Sequence, residues 1–234
     1  MTEAPSLERF RRLQILDGTA LKLIAVVSMV FDHMGDCFFP GATWLRAVGR
    51  IAMPVFAFCV SEGFLRTRDR KSYLLRMLLF GLISEVPFDL FASGKLFDLS
   101  HQNIMLTFSW ALAGLICFER IMTKERSPIR DISAAFVLLG FLAGSLLLCL
   151  DYNMTATALI FVFWLLKDKA DWVRNTAAAA VHAAFRNRGV NWFGLLGFIP
   201  VFMYNGKRGR GLKWFFYVFY PAHMLLLFMI KRYI

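Results

Sequence analysis

Apolar residues run along this chain in blocks, and polar and basic residues gather between them. The apolar segments fall at roughly residues 20–39, 44–65, 72–92, 103–123, 132–150, 153–166, 171–185, 191–204 and 212–230. A helix rises about 1.5 Å per residue, so each segment predicts either a full bilayer span or a short, tilted one. The seventh, "DWVRNTAAAAVHAAF", is the weakest: its alanines favour helix, and its polar residues predict an interior or re-entrant position. There is no internal repeat and no low-complexity tract. The pattern predicts an all-α polytopic membrane protein, a bundle of about nine transmembrane helices. Residues 1–18 read as a short cytoplasmic N-terminal segment, and residues 19–234 as a single transmembrane domain. The first apolar run is too long for a signal-peptide core and no small-residue cleavage site follows it, so this span is expected to be retained.

Composition agrees with that pattern. Hydrophobic residues make up 58% and charged residues 18% of the chain, against about 45–50% and 25% in a soluble domain. The net charge of +11 would suit nucleic acid, but the basic residues sit in short blocks between apolar segments. That is a topology signal, not a nucleic-acid face. Arg9, Arg11 and Arg12 precede the first span; Arg66, Arg68, Arg70 and Lys71 follow the second; Arg120, Lys124, Arg126 and Arg130 follow the fourth. Lys167, Lys169 and Arg174 follow the sixth, and Lys207, Arg208, Arg210 and Lys213 the eighth. The other ends hold only Arg46, Lys95, Arg186, Arg188, Lys231 and Arg232. Strict alternation puts the N-terminus in the cytoplasm and the C-terminus outside, and it counts the weak seventh segment as a crossing. Cys37, Cys59, Cys117 and Cys149 lie in apolar runs without CxxC spacing and are expected to be buried, inert thiols.

Within this frame the stretch "FDHMGD", residues 31–36, is anomalous. A charge at the bilayer centre costs about 2.5–3.5 kcal/mol on insertion scales. Counted along the spans, His33 lies past the midplane on the outer side, and Arg50 reaches a similar depth. Glu85 and Asp89 are four apart on one helix face, as are Asn103 and Thr107. Asp151 and Tyr152 sit at the turn between the fifth and sixth spans, and Tyr220 and His223 are neighbours near the middle of the last. All fall at central to outer depth, which predicts one polar pocket opening outward. Plainer readings compete. Asp32 can pair with Arg50 or Lys22 and lock the bundle; Glu85 and Asp89 can serve Arg50 and Arg76; His33 can be a satisfied core histidine, and His223 a plain helix–helix hydrogen bonder. His101 and His182, near span ends, read as bystanders. Pro54, Pro87, Pro200 and Pro221 are expected to kink spans. The "NGKRGRG" loop is either a cytosolic anchor or a wrap for phosphates.

Five blocks carry a resemblance: "LDGTALKLIAVVSMVFDHMG", "LRAVGRIAMPVFAFCVSEGF", "RKSYLLRMLLFGLISEVPFDLF", "DYNMTATALI" and "NGKRGRGLKWFFYVFYPAHMLLLFMI". Together, in this order from residue 16 to 230, they resemble the TraX family, which is associated with N-terminal acetylation of conjugative pilin. That family is similar to transmembrane acyltransferases such as the lysosomal heparan glucosaminide acetyltransferase and bacterial polysaccharide O-acetyltransferases. The resemblance implies a bacterial inner-membrane enzyme that takes acetyl-CoA on the cytosolic side and acetylates a secreted protein or surface glycan on the other, with no metal. His33 matches the family's "DH", Arg50 its "GR", Glu85 and Asp89 its "SE-P-D", and His223 its "YP-H". Met105 and Asn153 depart from it, the latter where glycine is usual.

The expected chemistry follows. Acetyl transfer from a thioester needs a base for the incoming amine or alcohol and donors for the developing oxyanion. His33 is expected to be the base or an acetyl relay, since histidine titrates near working pH. Asp36, or Glu85 and Asp89, would orient it. Arg50, or Asn103 with Tyr152, would hold the acceptor or the carbonyl oxygen, with His223 assisting and Asp32, Asp151 and Tyr220 lining the acceptor site. Arg66, Arg68, Arg70, Lys71, Lys207 and Arg208 are expected to grip the coenzyme A phosphates. Two other classes are compatible: a proton-coupled transporter or flippase, and a non-catalytic membrane factor for fibre assembly.

Overall fold

A computed structural model describes residues 13–186 and 188–233, so Arg9, Arg11 and Arg12 lie outside the described residues. The described residues are helical and contain no strand. In chain order the helices are α1 (Gly18–Cys37), α2 (Thr43–Gly49), α3 (Ala52–Arg66), α4 (Arg70–Ser93), α5 (Ile104–Met122), α6 (Pro128–Leu147), α7 (Met154–Leu165) and α8 (Asp171–Phe185). A 3₁₀ helix (Gly189–Gly197), α9 (Phe198–Phe202) and α10 (Lys213–Tyr233) complete the chain.

The helix starts follow from capping side chains. Asp17 accepts from the Thr19 and Ala20 amides at 2.9 and 2.8 Å, Asn103 from Met105 and Leu106, and Ser127 from Arg130, with Pro128 at the first helical position. Each satisfies donors that a helix N-terminus leaves open. Gly94, at φ +73°, ends α4 in the left-handed conformation that glycine adopts at little cost.

Among the described residues, four helical stretches are long and apolar enough to cross a membrane: Thr43–Arg66, Ile104–Met122, Pro128–Leu147 and Lys213–Tyr233. On α6, Ile129, Ile132, Phe136, Leu139 and Leu147 are exposed at helical spacing, an apolar outer face suited to lipid. Helices α1 and α4 have the length, at 20 and 24 residues, and carry charged side chains at intervals.

Three of the predicted spans depart from a single long helix. The segment near 44–65 is two helices meeting at a turn at Arg50 and Ile51. The sixth segment is the 12-residue α7, about 18 Å long against a hydrocarbon core of about 30 Å. Most of its side chains, Thr155–Phe161 among them, are buried. An apolar run of that length reads alike as a span and as a core helix, so hydropathy did not separate the two. The eighth segment is the 3₁₀ helix plus the five-residue α9. Cys59 is buried as expected, whereas Cys117 and Cys149 are exposed.

The chain divides into two compact units, one comprising Met1–Cys59 with Leu166–Lys213, the other Val60–Leu165 with Trp214–Ile234. In the first, α1 packs on α2, α2 on the 3₁₀ helix, and the latter on α8 and α9. Main-chain bonds join Leu16 to Met203 and Asn205, and the Gly18 amide donates to the Lys207 carbonyl at 2.8 Å. In the second, α5 is central: it packs on α4, α6 and α7, and buries Phe108, Ala111, Leu112, Leu115 and Phe118.

Candidate functional site

The buried stripe of α1 runs through Leu21, Ala25, Ser28, Asp32 and Gly35, spaced to share one face. Asp32 is therefore a carboxylate on a core face, only 8% exposed. Two arginines compensate it. Arg46 Nε and Arg50 Nη2 both lie 3.0 Å from its Oδ1, and Arg46 also pairs with Asp36. Arg46 and Arg50 are four apart, so α2 and the turn after it aim both guanidiniums at one point. The approach is close because position 49 is glycine: a Cβ there would lie 2.2 Å from Asp32 Cβ. Arg50 Nη1 reaches Asn191 Oδ1 at 3.4 Å.

Asp32 thus pairs with Arg50, as the structural alternative had it, and with Arg46, which sequence reasoning had used only as a topology charge. Asp36, expected to orient His33, faces Arg46. His33 itself, half-buried, flanks this ion cluster on the adjoining helical position.

A second set lies in the other unit. Glu85 accepts from the Asn103 side-chain amide at 2.9 Å and from its backbone amide at 3.3 Å. Asn103 also donates to the Gly81 carbonyl at 2.8 Å. Asp89 caps the loop after α4, taking the Asp98 amide at 2.8 Å. A short parallel bridge between Gln102 and Leu150 aligns His101 with Asp151, Nε2 to Oδ1 at 3.4 Å. Thr107 Oγ1 donates to the Asp151 carbonyl at 3.2 Å, and the Tyr152 amide to Asp151 Oδ1 at 2.8 Å. Cys149, Tyr152 and Asn153 have φ of +50°, +58° and +49°. This left-handed region explains why glycine suits position 153, and why asparagine is a workable substitute. Tyr220 and His223 are neighbours, ring centroids 5.5 Å apart. His223 Nδ1 is 3.0 Å from the Phe219 carbonyl one turn back, and its ring stacks on Phe219.

The basic residues divide by partner. Arg66 pairs with Glu62 at 3.0 Å, while Arg70 pairs with Glu119 and lies over the Phe64 ring. Arg68 and Lys71 are exposed. Nearby, the Ser72 hydroxyl and amide hold the Asp69 carboxyl below its usual range. On the loop after α4, hydrogen bonds from Ser100 hold Asp98 down to about 2. The Lys207 and Arg208 side chains are exposed, on a loop anchored by its own carbonyls. The Thr19 hydroxyl donates to the Arg210 carbonyl at 2.8 Å.

Sequence reasoning missed Arg46, Asn191 and His182. The Arg46/Arg50 spacing was a usable signal; nothing local marks Asn191.

Comparison with known proteins adds three findings. The family described as TraX protein matches residues 17–231. A probable fimbrial assembly protein, FimC of serogroup H1, from Dichelobacter nodosus is 28% identical over 243 residues, covering 92% of this chain and 95% of its own. An uncharacterized protein of Rickettsia prowazekii (strain Madrid E) is 38% identical over 66 residues, 28% of this chain and 25% of that protein. No solved structure matches.

Proposed function

We propose a function for a chain that belongs to the TraX family: it is a multi-pass membrane acetyltransferase, taking acetyl-CoA on the cytosolic side and acetylating an amine or hydroxyl on the other. The observation that supports this best is the Asp32–Arg46–Arg50 cluster. It spends two arginines and a glycine contact to hold α1 rigidly at the turn that carries His33, and reacting groups need such fixed support. In the proposed step, His33 takes the proton from the acceptor N–H or O–H as its N or O bonds to the acetyl carbon. The C–S bond breaks, and coenzyme A leaves as a thiolate that is then protonated. Arg50, whose guanidinium is already aimed by Asp32 and Asn191, stabilises charge near that centre.

The acceptor proposed is a secreted fibre subunit, because the D. nodosus relative is named for fimbrial assembly. The same name favours one second reading, a membrane factor for fibre assembly without catalysis. Purified protein given radiolabelled acetyl-CoA separates the two. Hydrolysis, self-labelling or protection by coenzyme A against heat supports the enzyme, and silence in all three supports the assembly factor.

We also infer a placement in the bacterial inner membrane, with about nine crossings, the N-terminus in the cytoplasm and the C-terminus outside. Helix α7, at 12 residues about 18 Å long, would make the sixth crossing a short one. Reporter fusions near residues 68, 125, 170 and 208 should read inside, and those near 97, 151 and 188 outside. Finding 125 and 151 on one side contradicts this topology.

For coenzyme A, the exposed Arg68 and Lys71 are the better phosphate ligands, since Arg66 and Arg70 already have carboxylate partners. Replacing both with glutamine should raise KM for acetyl-CoA several-fold and change kcat little. An unchanged KM in folded protein would leave these charges with a topological role alone.

A further inference from the structure

We propose that His182 is a positioning residue for Arg50, acting through Asn191 and Gly194; its consequence for catalysis rests on the acetyl-transfer reading above. His182 is 2% exposed on the inward face of α8, in line with Asn175 and Ala178. Its Nε2 lies 3.2 Å from the Asn191 main-chain oxygen. A carbonyl only accepts, so the ring must donate from Nε2. The side chain of the same Asn191 accepts from Arg50 Nη1 at 3.4 Å, and Arg50 Nη2 completes the chain to Asp32 at 3.0 Å. One residue of the 3₁₀ helix thus holds the histidine with its backbone and the arginine with its side chain.

Packing makes the same link independently. A Cβ on Gly194 would lie 2.4 Å from His182 Nε2 and 3.4 Å from the Arg50 carbonyl oxygen. The glycine backbone is therefore wedged between the imidazole and the turn that carries Arg50. One helical turn on, a Cβ on Gly197 would lie 2.7 Å from the Ile51 carbonyl oxygen. The 3₁₀ helix thus sits against that turn through two glycines, with the His182 ring behind it, itself edge-on to Phe198 at 6.0 Å. Moving or shrinking the ring frees the 3₁₀ helix, and with it the direction of the guanidinium.

A misplacement of about 1 Å can cost up to about 100-fold in rate. His182→Ala should therefore lower kcat by about tenfold or more, with little change in KM for acetyl-CoA. His182→Gln, which places an amide N–H where Nε2–H stands, should recover most of the rate. The decisive test is a double-mutant cycle with Arg50→Lys, which keeps the charge but loses the fork to Asn191 and Asp32. If His182 acts through Arg50, His182→Ala should cost almost nothing further in the Arg50→Lys protein. Equal losses in both backgrounds would overturn the proposal. So would failure of His182→Gln to recover the rate in protein that melts normally. If the wild type shows no transfer from acetyl-CoA, the acetyltransferase reading fails separately. The positioning claim is then decided by melting temperature, where non-additive shifts support it and additive shifts overturn it.

Discussion

Asp32→Ala is expected to cost about 3–5 kcal/mol of stability, the usual loss when one partner leaves a buried ion pair. Its carboxylate receives both Arg46 and Arg50. The alanine variant would leave the Arg50 guanidinium, whose side chain is 13% exposed, without its carboxylate. Arg46 retains Asp36, so the loss falls mainly on Arg50. The cavity left beside Gly49, where the two backbones nearly touch, adds to the cost. Asp32→Asn should lose less, because it keeps shape and one acceptor. Unfolding in detergent, followed by helicity, measures both. A loss under about 1 kcal/mol for Asp32→Ala would show that the arginines are solvated as surface pairs are.

The other large effect concerns rate. His33→Gln preserves size and hydrogen bonding but cannot take a proton, and loss of a general base costs about 10²–10⁴-fold. His33 is only half-buried and lies beside the ion cluster, so its removal should leave stability close to wild type. His223→Ala should cost much less in rate. Its ring is spent on the Phe219 carbonyl and on stacking within its own helix, which makes it a packing element first.

The sequence made helix content legible because apolar blocks of about 20 residues admit few alternatives. It did not tell which blocks cross as full helices. Residues 153–166 are as apolar as any segment, yet form a short helix buried in protein, because apolarity marks burial as readily as lipid contact. The break at Arg50 and Ile51 has a local signal in Pro54, which has no N–H for the Arg50 carbonyl four residues back and crowds it. At the site, pairs within one helix were legible: Glu85 with Asp89, and Tyr220 with His223, follow from helical spacing. Partners distant in sequence were not. Asn191 stands 141 residues from Arg50, and no local pattern links them. His182 reads as a bystander from its place near a span end, and only the fold shows the ring against Gly194.

In the proposed reaction His33 moves the proton or the acetyl group. The most direct test of that role is acetyl transfer from radiolabelled acetyl-CoA by wild-type and His33→Gln protein, purified side by side and matched for melting temperature. The wild type should transfer acetyl groups, and the variant should be slower by about 10²-fold or more. A His33→Gln protein that transfers acetyl groups at near wild-type rate would contradict that role, and would leave the histidine a structural hydrogen bonder.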